Sequence, residues 1–342
     1  MSHGNKVESL PIAERKVTGP SSWSRLLHRR EMTVAYAIIA LCIVNQLFNR
    51  NFATLFNFQV MLRQIAIFGL ISLGEMIVII TAGIDLSIGA VLALVGVVEA
   101  MFVSRAGWPP LLALSAGLAA AVLIGIYHGV AVSKWAVPPF MITLGSLSIW
   151  RGLATGVTRS YPILINDEVL RWFGQGILLG IPVPLIILAV VVVVVSYLLN
   201  STRLGRNIYA VGGNIEAARL SGIPVARVLI AAYTLASFLV GIAGVILAGR
   251  MAQGLPSVAG GYELNAIAAA IIGGTSFFGG VGTVPGVLLG SAFMVVIDNS
   301  LILMHVSPYW YPLVVGSVIV LAVTIDVVST KRRRRAEELM GV

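Results

Sequence analysis

The chain is divided into about ten apolar runs, each close to the roughly 20 residues that cross a bilayer as a helix. They lie near 33–49, 60–81, 87–103, 109–132, 138–157, 182–199, 227–249, 262–276, 283–304 and 309–328. Hydrocarbon offers no water to satisfy a backbone amide, so runs of this kind fold as helices. The expected fold class is an all-α polytopic membrane protein. Composition points the same way: with 58% hydrophobic and 11% charged residues, a soluble chain of 342 residues lacks the polar surface to cover itself.

The net charge of +9 is not spread as a nucleic-acid footprint. Basic residues gather near the N-terminus, between 203 and 227, and from Lys331 to Arg335, which is how topology signals are distributed. No nucleic-acid partner is expected, only membrane lipids. The single Cys42 lies in an apolar run, so there is no disulfide framework or paired thiol, and its expected role is packing. The first apolar run starts late and lacks a small-residue cleavage pattern, so no removable signal peptide is expected. The expected organisation is a tail over 1–30, a transmembrane domain over 31–328 with a polar loop at 200–227, and a basic tail over 329–342.

Ten spans place both termini on one side. Putting the termini inside gives the inner segments most of the basic residues, among them Lys134, Arg203, Arg206, Arg219 and Arg227, and leaves the outer loops Arg50, Arg105, Arg159, Arg171 and Arg250. Both termini are thus expected to be cytoplasmic. The longest outer loop, 158–181, carries Asn166, Asp167, Glu168, Arg171 and Trp172, and reads equally as a docking or lid segment and as a solvated connector.

The segment STRLGRNIYAVGGNIEAARLSGIPVAR at 201–227 is a basic island that its charges keep out of hydrocarbon. Within it Asn214, Ile215, Glu216, Ala217, Ala218, Arg219, Leu220, Ser221 and Gly222 form a punctuated two-turn helix. Asn214 is its N-cap, Glu216 lies in the first turn and Arg219 near the last, while Gly222 and Pro224 stop it. So short a helix must lean on something else to hold its shape.

Two glycine-rich breaks interrupt the apolar pattern, one at 81–89 and one at 272–282. Gly83, Gly89, Gly273, Gly274, Gly279 and Gly280 mark where the backbone bends or packs closely. Paired breaks predict an inverted internal repeat of the kind found in transporters. Asp85 reads equally as the N-cap of the span beginning at Leu86 and as a group with a direct role in transport. Gly117, Ala121, Gly125 and Gly129, like Gly282, Gly286 and Gly290, recur every fourth residue and predict close helix contacts.

Glu75, Glu99, Glu263, Asp298, Asp326, Arg63 and Arg151 lie in or at the ends of spans, with Glu263 expected at the outer mouth. His28, His128 and His305 are too scattered for a metal site, and no catalytic constellation is readable. The glycines at 279–286 carry Pro285 where a dinucleotide fingerprint needs glycine, and there is no phosphate-binding loop ending in Gly-Lys. ATP, if it drives this chain, is held by another.

Four segments carry a family resemblance: AGIDLSIGAVLAL at 82–94, PPFMITLGSLSIWRGLATGVT at 138–158, STRLGRNIYAVGGNIEAARLSGI at 201–223 and YELNAIAAAIIGGTSFFGGVGTVPGVLLG at 262–290. Together they resemble the permease subunit of ribose-type monosaccharide importers of the ATP-binding cassette class, over about residues 35–328. The resemblance implies a bacterial inner-membrane homodimer of permeases and a cytoplasmic ATPase subunit with two fused cassettes, which holds ATP and magnesium. It also implies an external, periplasmic or extracellular, sugar-binding protein that largely sets specificity. It maps the ATPase-coupling helix onto Asn214 through Gly222, and the candidates for a translocation path or gate are Asp85, Ser87, Phe140, Thr143, Ser146, Glu263 and Asn299. This chain would bind no cofactor or metal of its own. The rival class is an ion-coupled secondary transporter of a small polar solute, which needs a buried carboxylate or cation site and no ATP.

Overall fold

A computed structural model of the chain describes residues 30–321 together with 323, 324 and 327. The two tails, apart from residue 30, lie outside the described residues, as do His28, Asp326 and the end of the last apolar run. Every one of the ten runs is helical. They form α1 (Arg30–Phe48), α2 (Leu55–Ile80), α3 (Ile88–Ser104), α4 (Pro110–Ser133), α5 (Pro139–Thr158), α7 (Val183–Ser201), α10 (Val225–Met251), α11 (Tyr262–Ile272), α12 (Val284–Leu303) and α13 (Tyr311–Leu321). Between them lie α6 (Glu168–Gln175), α8 (Arg203–Gly213) and α9 (Ile215–Leu220). Five helices, α2, α4, α7, α10 and α12, are long and apolar enough to cross a membrane by length and composition alone. α4, α5 and α7 open on proline in the first turn, where its missing N–H would have had no partner.

α2 is the axis of the bundle. Every residue from Ala66 to Ile80 is buried, wrapped by α7, α8, α10, α11 and α12. The predicted small-residue faces are real contacts. Gly125 lies against the Tyr233 carbonyl and Gly129 against Ile230, which brings α4 onto the backbone of α10. Gly286 and Gly290 admit Gly273 and Ala269 in the same way and seat α11 on α12.

Three expectations need correction. The island is more helical than a loop with one short helix: Thr202 caps α8 by accepting the Gly205 N–H, and buried Ile208 and Val211 give the helix an apolar face, which outweighs the cost of its glycines. The loop at 158–181 also contains a helix. Asp167 caps α6, Leu170 is fully buried, and Gly174 packs on the backbone of α10 at Arg250, so the segment is fastened at that point. Two-residue strands fasten it further, β1 (Ile163–Leu164) pairing antiparallel with β4 (Gln253–Gly254), while β2 (Ile177–Leu178) and β3 (Ile181–Pro182) form a hairpin.

The third correction concerns Glu263. Between α10 and α11 the chain runs as irregular backbone alongside α3, with Gly254 against Gly96 and Val97 and Ala259 against Gly89. That stretch covers roughly 10 Å of the α3 axis at 1.5 Å per residue. Glu263 therefore lies beside Gly89, near the start of α3, and not at the outer mouth. Non-helical backbone at membrane depth needs internal partners. Arg151 of α5 supplies them, one guanidinium nitrogen donating to the carbonyls of Pro256 at 2.7 Å and Val258 at 2.6 Å.

Candidate coupling and gating site

The island and both glycine breaks converge at one end of the bundle. Asn214 ends α8 and starts α9 from an extended backbone, its side-chain oxygen accepting from the N–H groups of Glu216 at 3.1 Å and Ala217 at 2.9 Å. Arg219 pairs with Glu216 at 3.1 Å, both side chains exposed. Gly222 takes φ +78° just past the helix, in the left-handed region that glycine tolerates. α9 leans on the rest of the protein through buried Ala218, while Leu220 is 88% exposed.

α8 joins α9 to the breaks. Gly212 sits directly on the Ile80 carbonyl, closer than any side chain would allow. The same carbonyl accepts the Gly280 N–H at 2.9 Å, and the Tyr209 hydroxyl donates to the Gly282 carbonyl at 2.7 Å. Burial raises the Tyr209 phenol pKa above its usual value, which keeps it a donor. Gly279 and Gly280 both have positive φ, +85° and +73°. The first break, the second break and the island are thus one backbone-to-backbone junction, which sequence distance concealed.

Of the path candidates, several gather near the first break. Asp85 is buried, and its carboxylate accepts from the Ser87 N–H at 2.8 Å and the Ser87 hydroxyl at 2.6 Å. It forms a turn two residues ahead of Ser87, which holds the N-cap position of α3, so it does not cap the helix itself. Thr143 is buried and donates to the Ile84 carbonyl at 3.0 Å, tying α5 to the break. Ser146 is buried one turn along, and Phe140 is exposed at the start of α5. Gly83 admits the Tyr233 hydroxyl, and Gly89 admits the Ala259 carbonyl and the Glu263 carboxylate.

Asn299 stands apart. It exchanges side-chain hydrogen bonds with Asn57 at 2.7 and 3.0 Å, and Asn57 is roughly 27 Å along α2 from Glu75. Gly273 and Gly274 lie in the turn after α11, Gly273 against Gly286 and Gly274 at φ +91°. His128, read as isolated, lies 3.7 Å from Asp85, and Glu75 accepts the Asp85 N–H at 3.2 Å. No spacing in the sequence connects these three residues.

α5 presents a bare face. A methyl group added at Gly145, Gly152 or Gly156 would meet nothing within 4 Å, and Met141, Ser148 and Ile149 are exposed around them. Among the described residues no group of His, Cys, Asp and Glu has the geometry of a metal site.

Residues 57–323 match the family described as branched-chain amino acid transport system / permease component. The chain is 39% identical over 319 residues to the ribose import permease protein RbsC of Escherichia coli, covering 92% of this chain and 99% of that one. It is 40% identical over 292 residues to RbsC of Bacillus subtilis, 84% and 90% of the two chains. To the xylose transport system permease protein XylH of Escherichia coli it is 32% identical over 338 residues, 81% and 86%. No solved structure matches.

Proposed function

Since the chain belongs to the family of branched-chain amino acid transport system permease components, we propose that it is the membrane permease of an ATP-driven importer of a ribose-like monosaccharide. The sugar import permeases among its relatives support that reading over nearly the whole chain. Hydrolysis belongs to a partner ATPase, carrying two fused cassettes with ATP and magnesium, and a binding protein delivers the sugar from outside. Two copies of the permease form the membrane unit, which spans a bacterial inner membrane with both termini in the cytoplasm. The working domain is 31–328, with 200–227 as its coupling loop.

One observation carries the mechanism: Gly212 at the end of α8 lies on the Ile80 carbonyl, which also receives the Gly280 N–H. A displacement of α9 by the ATPase passes through Asn214 to α8 and from there to both breaks at once. Closure of the cassettes pushes the Asn214–Gly222 helix, with Leu220, Glu216 and Arg219 as contact residues, and the breaks shift the membrane helices against one another. The sugar passes along the bare face of α5, with Phe140 at its inner end and Thr143, Ser146, Asp85 and Ser87 behind it. Small residues leave room there for a polar solute between two copies.

Glu75, Asp85 and Glu99 are all buried, which is the feature that favours an ion-coupled carrier. Dependence on ATP separates the two readings. Proteoliposomes holding the permease, the ATPase and loaded binding protein are expected to take up ribose only when ATP is on the ATPase side. Uptake without the ATPase subunit, driven by an ion gradient, would overturn the proposal.

A further inference from the structure

At the island end of the bundle α4, α7 and α10 leave an open groove of about 600 Å³ between them. α4 lines it with Val122 and Ile126, α7 with Leu198, and α10 with Ile230, Leu235 and Phe238. Apart from Arg227 and Thr234, every side chain along it is apolar. Little of α4 or α7 is buried inside the protein, so the groove lies on an outer face of the bundle.

The groove has a direction and a length. Gly129 of α4 lies against Ile230 and Gly125 against Thr234, so the two helices run antiparallel, and Arg227 in the first turn of α10 marks the island end. From Arg227 to Phe238 the α10 axis rises about 16 Å at 1.5 Å per residue. One leaflet of hydrocarbon is about 15 Å deep, half of a core of about 30 Å. Exposed Tyr197 near the end of α7 and exposed Trp135 just beyond α4 stand at the same end, where the aromatic belt of a bilayer surface belongs. The groove thus spans one leaflet, from headgroup level to the midplane.

Its rim is basic and uncompensated. Arg227 is exposed in the groove, Arg203 directly precedes the groove residue Leu204, and Lys134 follows the last turn of α4 at the same end. Neither 122–135 nor 198–238 contains an acidic residue other than Glu216, whose carboxylate is already paired with Arg219. Among the described residues Arg227, Arg203 and Lys134 form no ion pair. A transmembrane helix of a neighbour needs no cations at one end of its seat, and a soluble anion needs no apolar wall one leaflet deep. An amphiphile with a negative headgroup uses both.

We propose that the groove between α4, α7 and α10 is a binding site for an anionic phospholipid of the leaflet at the island end, one acyl chain lying along Ile230, Leu235 and Phe238 and the phosphate on Arg227. Such a lipid joins the two membrane helices that frame the island, since α7 leads into α8 and α10 follows α9. Its headgroup steadies both roots of that segment at the membrane surface. The site requires only that the chain spans a bilayer, so it holds for an importer and for an ion-coupled carrier alike.

The full-length protein, delipidated in a non-ionic detergent, is titrated with dioleoylphosphatidylglycerol or dioleoylphosphatidylcholine, and bound lipid is counted by native mass spectrometry. The wild-type chain is expected to bind the first phosphatidylglycerol about tenfold more tightly than the first phosphatidylcholine. Arg227→Gln should weaken phosphatidylglycerol binding about fivefold. Ala231→Trp, which fills the groove and keeps every charge, should weaken binding of both lipids. A phosphatidylglycerol with a diazirine in its acyl chain locates the site in the wild-type protein, with label expected on 122–126 and 230–238. Equal affinity for the two lipids, or label spread evenly over the lipid-facing helices, overturns the proposal whether or not the variants insert. Displacement of the lipid by an equal concentration of soluble glycerol phosphate would make this a site for a free phosphate, and a dimer that Ala231→Trp disrupts would make it the seat of a second copy. Either result also overturns it.

Discussion

The Gly280 N–H donates to the Ile80 carbonyl at 2.9 Å, so the last residue of α2 and a left-handed glycine of the second break are held by one backbone bond. Gly212 covers that bond from the island side. Movement of any one of the three segments must strain the other two, and this is where the proposed coupling is most exposed to test.

Gly212→Ala puts a methyl group into the Ile80 carbonyl. The clash is with backbone, which cannot rotate away, so a cost of about 1–3 kcal/mol is expected. Uptake by the assembled transporter should fall at least severalfold while the variant still reaches the membrane. Wild-type uptake would separate the junction from transport.

Ala218→Pro breaks α9 in its interior, at about 3 kcal/mol in a helix of 6 residues. The permease is expected to insert and to keep its partner copy. Uptake is lost, together with stimulation of the partner's ATP hydrolysis by loaded binding protein. Retained stimulation would locate the ATPase contact elsewhere.

Leu220→Asp should weaken binding of the ATPase without changing the thermal stability of the isolated permease, because the side chain is 88% exposed. Co-purification against the wild-type chain reads this directly. A stability loss with normal binding would make Leu220 a packing residue.

Asn299→Ala leaves a buried Asn57 amide short of a partner, and a loss of about 1–3 kcal/mol is expected. If the pair only holds α2 to α12, the KM for sugar-driven uptake stays unchanged. A raised KM with unchanged stability would restore Asn299 to the path.

In a Cys42→Ala background, cysteines at Lys134 and Arg206 should resist a membrane-impermeant thiol reagent added to intact cells, whereas one at Glu168 should react. All three positions are exposed on the protein, so access depends on the side of the membrane alone. Labelling of Arg206→Cys from outside would reverse the orientation.

The apolar runs were legible because hydrocarbon length and backbone satisfaction leave few alternatives. The cap at Asn214 and the stop at Gly222 were equally legible, since both are local chemistry. α8 was not: Gly205, Gly212 and Gly213 argue against a helix locally, and its stability comes from burying Ile208 and Val211. The descent of 252–261 was hidden for a related reason. Two of its carbonyls, those of Pro256 and Val258, are met by Arg151, which is distant in sequence. The grouping of Glu75, Asp85 and His128 depends on helix rotation, which a nearly uniform apolar pattern leaves undetermined.

That pair of bonds from Arg151 also bears on biogenesis. A ribosome delivers α5 before the 252–261 stretch, so the guanidinium is already in the nascent bundle when the carbonyls of Pro256 and Val258 need a donor. A chain that ends before residue 250 would lack both acceptors, so the cation of α5 finds these partners only after α10 has been made.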